Sequence, residues 1–197
     1  VKTSLLGSDS FQEVDIAGVT MPVTKYSFIA SGERGVAQDV REAFSIAQSG
    51  RKGPVLVDIP ADIAAQSEEY ECAPKSEPAR AKEPEEAQLA RAAQMIAKAK
   101  RPLIYVGGGA ISSGASESLG AFAKKLQIPV ACSMMGLGAY PCSAKLFLGL
   151  VGMHGNPAAN TAALNCDLLI AAGARFSNRV AASKASFAPK AKIIHID

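Results

Sequence analysis

Two loops in the second half of the chain carry residue types that suit the binding of an anion. The run Y-V-G-G-G at 105–109 ends a short apolar segment at three glycines, where the backbone can approach a ligand closely. A second apolar run ends at Gly173 and is followed by Arg175 and Arg179, whose guanidinium groups can make paired hydrogen bonds to a phosphate. Because G-G-G-x-x-x-x-G is not the dinucleotide fingerprint, a tight turn between strand and helix and a pair of solvated arginines are the alternatives.

Weaker candidates lie in two further loops. His154 precedes a predicted helix start, where an imidazole can stack on or hydrogen-bond a ring, although a lone histidine is more often structural. Met134, Met135 and Met153 can line a flat aromatic ligand, with ordinary core packing as the alternative. The sequence shows no Ser-His-Asp arrangement, P-loop or metal-ligand spacing, so we predict no metal ligand within this chain.

The pattern of the second half predicts the elements that bring these loops together. Apolar runs at 103–106, 128–132, 167–172 and 192–196 predict strands, while 139–150 is expected to be irregular. Helices are expected over 84–100, over 117–126 and over 158–164, the last with Asn156 as its N-cap and Pro157 in its first turn. Strands that alternate with helices predict a parallel sheet of the α/β class, in which ligands bind beyond the carboxyl ends of the strands.

The first half predicts the same class with fewer elements. A helix is expected over 11–19 with Asp9 or Ser10 as its cap, a strand over 24–30, a helix over 33–48, and an apolar strand over 53–60 that suits the interior of a parallel sheet. The segment 64–83, rich in Glu and Pro, predicts an exposed linker between two domains. The inward helix faces are expected to hold Val36, Val40, Ala43, Phe44 and Ala47 in the 33–48 helix, and Leu89, Ala92, Ala93 and Ile96 in the 84–100 helix.

Composition limits the classes of protein and ligand. With 197 residues, 48% of them hydrophobic and 20% charged, the chain suits one large or two small soluble domains. It shows no apolar run of membrane-spanning length and no export signal, so a cytoplasmic protein with four reduced cysteines is expected. Residues 1–97 carry 10 basic and 15 acidic side chains, whereas residues 98–197 carry 11 basic and 3 acidic ones. A basic half with glycine loops favours an anionic ligand, and the lack of basic clusters with interleaved aromatics argues against nucleic acid.

Five longer stretches resemble one enzyme family. They are G-S-D-S-F-Q-E-V-D-I-A-G-V-T-M-P-V-T-K, S-G-R-K-G-P-V-L-V-D-I-P-A-D-I, Y-V-G-G-G, P-V-A-C-S-M-M-G-L-G-A-Y-P and G-M-H-G-N-P-A-A-N-T-A-A-L-N-C-D-L-L-I-A-A-G-A-R-F. Together they resemble the large subunits of the acetohydroxyacid synthase (acetolactate synthase) family, which are thiamine diphosphate-dependent enzymes. The resemblance spans nearly the whole chain, in order, so the chain is expected to be a piece of such a subunit.

The resemblance implies a domain organisation and a reaction. Residues 1–63 would be the C-terminal part of a thiamine diphosphate-binding pyrimidine domain, 64–83 a linker, and 84–197 most of a Rossmann-like (DHS-like) central domain, both domains being three-layer and built on parallel sheets. The reaction implied is decarboxylation of pyruvate and condensation with a second 2-ketoacid, in branched-chain amino acid biosynthesis. The enzyme would be a homodimer or tetramer, with the option of a small regulatory subunit. Its cofactors would be thiamine diphosphate with Mg2+, bound mostly outside this chain, and FAD in a structural role, so the isolated chain is expected to be inactive.

The same resemblance implies roles for individual residues. Phe11 and Gln12 would face the active site beside the thiamine of a partner subunit. FAD contacts would come from Arg51, Gly107, Gly108, Gly109, Ser133, Met134, Met153, His154, Gly155, Gly173 and Arg175. The chain departs from the family at Ala61, where lysine is usual, and at Ser177 and Asn178, where aspartates are usual, which leaves substrate choice and flavin affinity open. The alternatives are another thiamine diphosphate-dependent decarboxylase or carboligase, such as glyoxylate carboligase or oxalyl-CoA decarboxylase, and a non-catalytic nucleotide-binding module.

Overall fold

The computed structural model describes residues 1–72, 74, 83–178, 180 and 187–197 and divides the chain into two compact units, Val1–Lys82 and Glu83–Asp197. Each unit combines α-helices with strands that pair in parallel. The α/β class predicted from the sequence is therefore confirmed. Within the described ranges, no helix has the length and apolar composition needed to cross a bilayer.

The first unit is built on a two-stranded parallel sheet. Its elements are α1 (Ile16–Thr20), β1 (Tyr26–Ile29), α2 (Val36–Gln48), β2 (Val55–Asp58) and α3 (Ala61–Ala64), after a 3-10 turn at Thr3–Leu5. The 3-10 turn is tied to α3, because Asp62 accepts hydrogen bonds from the Thr3 N–H at 2.9 Å and from the Thr3 hydroxyl at 2.5 Å. These bonds lower the pKa of Asp62.

The beginning of the predicted linker is bound to the first unit. Glu68 Oε1 accepts a hydrogen bond from the Val36 N–H at 3.3 Å, and Arg41 Nη2 donates to the Tyr70 hydroxyl at 2.7 Å. These contacts run along α2. Residues 73 and 75–82 of the predicted linker lie outside the described residues.

The second unit contains a five-stranded parallel sheet. Its elements are α4 (Glu86–Lys98), β3 (Pro102–Val106), α5 (Gly108–Ser112), α6 (Ser116–Leu126), β4 (Val130–Cys132), a 3-10 turn at Met134–Gly136, β5 (Phe147–Leu150), α7 (Pro157–Asn165), β6 (Leu168–Ala172) and β7 (Lys192–Ile196). The strand order is β5-β4-β3-β6-β7. The first strand, β3, is therefore central, with β4 and β5 on one side of it and β6 and β7 on the other. The order reverses between β3 and β6, which is where open sheets of this kind bind ligands.

Apolar side chains cover both faces of this sheet and make it the middle of three layers. Along β3, Ile104 and Val106 pack in one cluster with residues of α5 and α6, while Leu103 and Tyr105 pack in another with residues of α7. This alternation follows from the period of two in a strand. A parallel sheet needs such cover on both faces, so the continuously apolar strands predicted from the sequence fit their observed positions.

Two sequence predictions about secondary structure were wrong. The helix expected over 11–19 is only the short α1, capped by Asp15, because the preceding residues form a turn in which Glu13 accepts backbone N–H groups. The segment 139–150 was expected to be irregular, but it contains β5. This strand includes Gly149 at φ +93° and pairs with a register shift beside Val130, so its local pattern is weak and its stability comes from pairing with β4.

The inward faces of two helices also differ from the prediction. In α2, Phe44 is 64% exposed, whereas Asp39 is buried with one oxygen 3.3 Å from Arg34 Nη2. In α4, Leu89 and Ala93 are exposed, and Met95 packs on the core beside Ile96. The strand predicted for a sheet interior, β2, pairs with β1 alone among the described residues and is half-buried.

Replacing Gly120 with alanine should stabilise the second unit. Gly120 lies inside α6, and a Cβ there would have no heavy atom within 4 Å. Because glycine is a poor helix former, we expect Gly120→Ala to raise the free energy of unfolding by about 0.5–1 kcal/mol. Urea denaturation of the full-length protein measures the change, and a lower midpoint would contradict the open position of this residue.

Candidate functional site

The predicted ligand residues of the second unit follow the carboxyl ends of four adjacent strands. Since all strands are parallel, these ends share one edge of the sheet, which we call the carboxyl edge. The carboxyl edge consists of Gly107–Gly109 after β3, Ser133–Met135 after β4, Gly152–Gly155 after β5 and Gly173–Arg175 after β6. The structure thus brings together, at one edge, all the predicted flavin contacts of the second unit, which are far apart in sequence.

The glycines at the centre of the carboxyl edge lie against one another. The Gly107 N–H donates to Ala172 O and the Gly109 N–H donates to Gly173 O, both at 2.9 Å. A Cβ on Gly107 would lie 2.2 Å from Gly173 O, and a Cβ on Gly173 would lie 2.2 Å from the Ala110 nitrogen. Close contact between the two loops at the switch point therefore gives a packing reason for these glycines, which differs from the tight turn between strand and helix offered as the alternative.

The two residues beside Arg175 in the loop after β6 are held by tertiary contacts. His195 Nε2 lies 2.8 Å from Ala174 O, so that nitrogen carries the proton and donates. Phe176 packs in an aromatic cluster, with ring centroids 6.1 Å from Tyr105 and 6.0 Å from Phe187. The Arg175 side chain itself is exposed at the carboxyl edge. Arg179, the second predicted arginine, lies outside the described residues.

The methionines of the carboxyl edge are on the surface, so the core-packing alternative for them is wrong. Met134, Met135 and Met153 are 63%, 73% and 70% exposed, and His154 beside Met153 is also exposed. The three methionines place exposed apolar side chains in the loops after β4 and β5, at the same edge of the sheet as the glycine loops. Exposed apolar side chains grouped in this way are typical of a binding surface.

The loop that presents Met153 and His154 is fixed by asparagines of α7. Asn156 caps the helix by accepting from the Ala158 N–H at 2.9 Å, as predicted. Asn160 Oδ1 accepts from the Gly152 N–H at 2.9 Å, and Asn160 Nδ2 donates to Gly152 O at 3.1 Å. Sequence reasoning missed Asn160, because its role shows only through these hydrogen bonds to the Gly152 backbone.

A buried hydroxyl lies beside Ser133. The Ser133 N–H donates to Val106 O at 2.9 Å, which joins the β4 loop to β3. The Tyr105 hydroxyl is fully buried and has no hydrogen-bond partner among the described residues. Burial raises the pKa of Tyr105, and the Ser133 side chain, close but outside hydrogen-bond geometry, lowers it to a smaller extent.

The other predicted site residues belong to the first unit. Arg51 is exposed between α2 and β2, and Phe11 is 88% exposed. Gln12 has φ +63°, a left-handed conformation that residues other than glycine seldom adopt. Next to it, the backbone N–H groups of Ser10 and Gly7 lower the pKa of Glu13.

Two substitutions of Gln12 test whether its backbone has the left-handed conformation. We expect Gln12→Gly to keep the free energy of unfolding within about 1 kcal/mol, because glycine adopts positive φ freely. Gln12→Val should lower it by about 1–2 kcal/mol, because a β-branched residue is strained there. Urea denaturation of the two variants gives the comparison, and equal midpoints would contradict the left-handed conformation.

Two grooves on the second unit lie away from these residues. Cavities of about 680 and 350 Å3 open between α4 and the edge strand β7, with Arg91, Met95 and Lys192 in both linings. They are shallow grooves beside an exposed strand and carry no group of catalytic residues. In the described part of the chain no cluster of His, Cys, Asp and Glu is suited to a metal ion, and the four cysteines are free thiols.

Comparison with known proteins gives a consistent result along the chain. The model of the thiamine pyrophosphate enzyme central domain matches residues 89–197. The acetolactate synthase large subunit of Corynebacterium glutamicum is 45% identical over all of this chain and 32% of its own length. The probable acetolactate synthase large subunit of Methanocaldococcus jannaschii is 45% identical over all of this chain and 34% of its own length. The acetolactate synthase isozyme 3 large subunit of Escherichia coli is 41% identical over all of this chain and 35% of its own length. The chain thus spans about a third of the curated relatives that it matches.

Proposed function

This chain belongs to the thiamine pyrophosphate enzyme family, and on that premise we propose that it is part of the catalytic subunit of an acetolactate synthase. The complete enzyme decarboxylates pyruvate and joins the remaining two-carbon unit to a second 2-ketoacid. Identities of 41–45% to acetolactate synthase large subunits over the whole chain, first unit included, support this proposal. A lone nucleotide-binding module would leave the match over the first unit unexplained.

We assign the two units to two domains of that subunit. Residues 1–63 are the last part of the pyrimidine-binding domain, and 84–197 belong to the central domain. The enzyme works in the cytoplasm as a homodimer or tetramer, with room for a small regulatory subunit. Thiamine diphosphate with Mg2+ supplies the electron sink for decarboxylation in the complete enzyme. We assign Phe11, whose ring is 88% exposed, and Gln12, whose φ is +63°, to the active site near the thiamine of a partner subunit.

The carboxyl edge of the second unit is the proposed FAD site. The reversal of strand order between β3 and β6 is the observation that carries this assignment, because open parallel sheets bind ligands beyond the carboxyl ends of the strands at such a point. The residues present fit the group. Arg175 supplies a permanent positive charge for the pyrophosphate, and the exposed methionines supply apolar surface for a ring system. The Tyr105 hydroxyl is a buried polar group without a partner among the described residues.

A purified full-length protein tests both parts of the proposal. We expect a flavin absorbance spectrum and acetolactate formation from pyruvate. The 197-residue chain alone should form none, since it covers about a third of its relatives. A flavin-free protein that forms a different product from a 2-ketoacid would instead identify another carboligase or decarboxylase of the same family.

A further inference from the structure

We propose that Glu13 is a positioning residue that holds Phe11 and Gln12 in place for the reaction proposed above, on which this inference rests. Glu13 follows these two residues directly in the chain. Nothing in its sequence pattern distinguishes it from a solvated surface glutamate. Its contacts do.

Both carboxylate oxygens of Glu13 are used to close the loop that carries Phe11 and Gln12. Oε1 accepts a hydrogen bond from the Gly7 N–H, and Oε2 accepts from the Ser10 N–H at 2.8 Å and the Ser10 hydroxyl at 3.0 Å. The Glu13 N–H in turn donates to Ser10 O at 2.9 Å. The result is a clamp that joins residues 7, 10 and 13 and leaves 11 and 12 at its tip.

Phe11 and Gln12, at the tip of this loop, need such a clamp to keep their conformation. Gln12 sits at φ +63°, which costs about 1 kcal/mol for a residue with a side chain. Phe11 is 88% exposed, so packing within its own unit does not hold the ring. Because neither residue is fixed by burial, the hydrogen bonds of the loop set their direction, and those that end on the Glu13 carboxylate join its two sides. A strained backbone held by its surroundings is common where side chains act on a ligand.

The clamp requires a carboxylate. An ionised carboxylate accepts at both oxygens, whereas a glutamine has one acceptor oxygen and an NH2 group that would face an N–H. The same hydrogen bonds lower the pKa of Glu13, so the group is ionised at neutral pH. Glu13→Gln therefore opens one side of the clamp with almost no change in shape.

The first measurement is steady-state kinetics of the full-length enzyme on pyruvate. We expect Glu13→Gln to lower kcat about tenfold, because small displacements of positioned groups reduce turnover by one to two orders of magnitude. The matched control is Glu33→Gln in the same unit, since Glu33 is exposed and its side chain makes no hydrogen bond or ion pair among the described residues. The control should leave kcat unchanged. A Glu13→Gln enzyme with wild-type kcat would overturn the proposal.

A double-mutant cycle separates positioning from general destabilisation. In an enzyme that already carries Phe11→Ala and Gln12→Ala, adding Glu13→Gln should cause no further loss of the residual kcat, because the residues through which it acts are gone. A structural role independent of the tip would lower activity by the same factor in both backgrounds. That additive result would refute the inference.

Hydrogen exchange measures the clamp without relying on the reaction. In Glu13→Gln, either the Gly7 or the Ser10 amide, whichever faces the new NH2 group, should exchange at least about tenfold faster than in Glu33→Gln, because it loses its carboxylate acceptor. Unchanged exchange would overturn the clamp whatever the enzyme makes. A wild-type enzyme that forms another product from a 2-ketoacid would overturn the proposed function alone, and the cycle would then be measured on that product.

Discussion

Gly173→Ala should destabilise the second unit strongly, although it adds only one methyl group. Gly173 has φ +55°, and its Cβ would lie 2.2 Å from the Ala110 nitrogen and 2.5 Å from the Gly109 carbonyl carbon. Both obstacles are backbone atoms, so no side-chain rotation relieves them. Left-handed strain and forced displacement together should lower the free energy of unfolding by about 3–5 kcal/mol. Urea denaturation and the yield of soluble full-length protein measure this loss.

Gly114→Ala is the matched control for this change. Gly114 has φ +73°, but its Cβ would meet no heavy atom within 4 Å. It should therefore lose only the left-handed penalty, about 1 kcal/mol. The difference between the two variants isolates the contact between the β3 and β6 loops. If both variants unfolded at the same denaturant concentration, the close approach of these loops would be wrong.

The sequence predicted the elements of the second unit where a local pattern carried the information. The apolar runs that became β3, β6 and β7 each fill one strand, and the Asn-Pro start of α7 is a local capping signal. The pattern failed where partners distant in sequence decide. β5 depends on pairing with β4. In place of the first part of the helix expected at 11–19 there is a turn, which is held by hydrogen bonds to the Glu13 carboxylate.

The grouping of the candidate site residues at one edge of the sheet could be predicted from the sequence, whereas the residues that support their loops could not. Loops after parallel strands must meet at one edge, so Gly107, Gly173 and Arg175 could be grouped from strand ends alone. The residues that fix those loops could not, because a surface asparagine or histidine shows its role only through a tertiary contact. Asn160 at the β5 loop and His195 at Ala174 O are such residues.

Arg175→Gln should weaken flavin binding in the full-length protein by about 10- to 100-fold. In the proposed FAD site, the substitution would remove a charge-assisted hydrogen bond to the pyrophosphate, which is worth about 1.5–3 kcal/mol. The side chain is exposed while Ala174 and Phe176 remain fixed beside it, so folding should be preserved. Titration of the flavin-free enzyme with FAD, followed by fluorescence, measures the affinity, and the thermal midpoint without flavin reports on the fold.

Arg101→Gln provides the control for charge. Arg101 is also an exposed arginine of the second unit, but it precedes β3 and so lies at the opposite edge of the sheet. Its link to Asp167 runs through its backbone N–H at 2.9 Å, which the substitution leaves intact. If the carboxyl edge holds the pyrophosphate, Arg101→Gln leaves the affinity for FAD unchanged while Arg175→Gln reduces it. Equal losses would show that flavin responds to the overall charge of the unit, and the pyrophosphate would then have to be placed elsewhere.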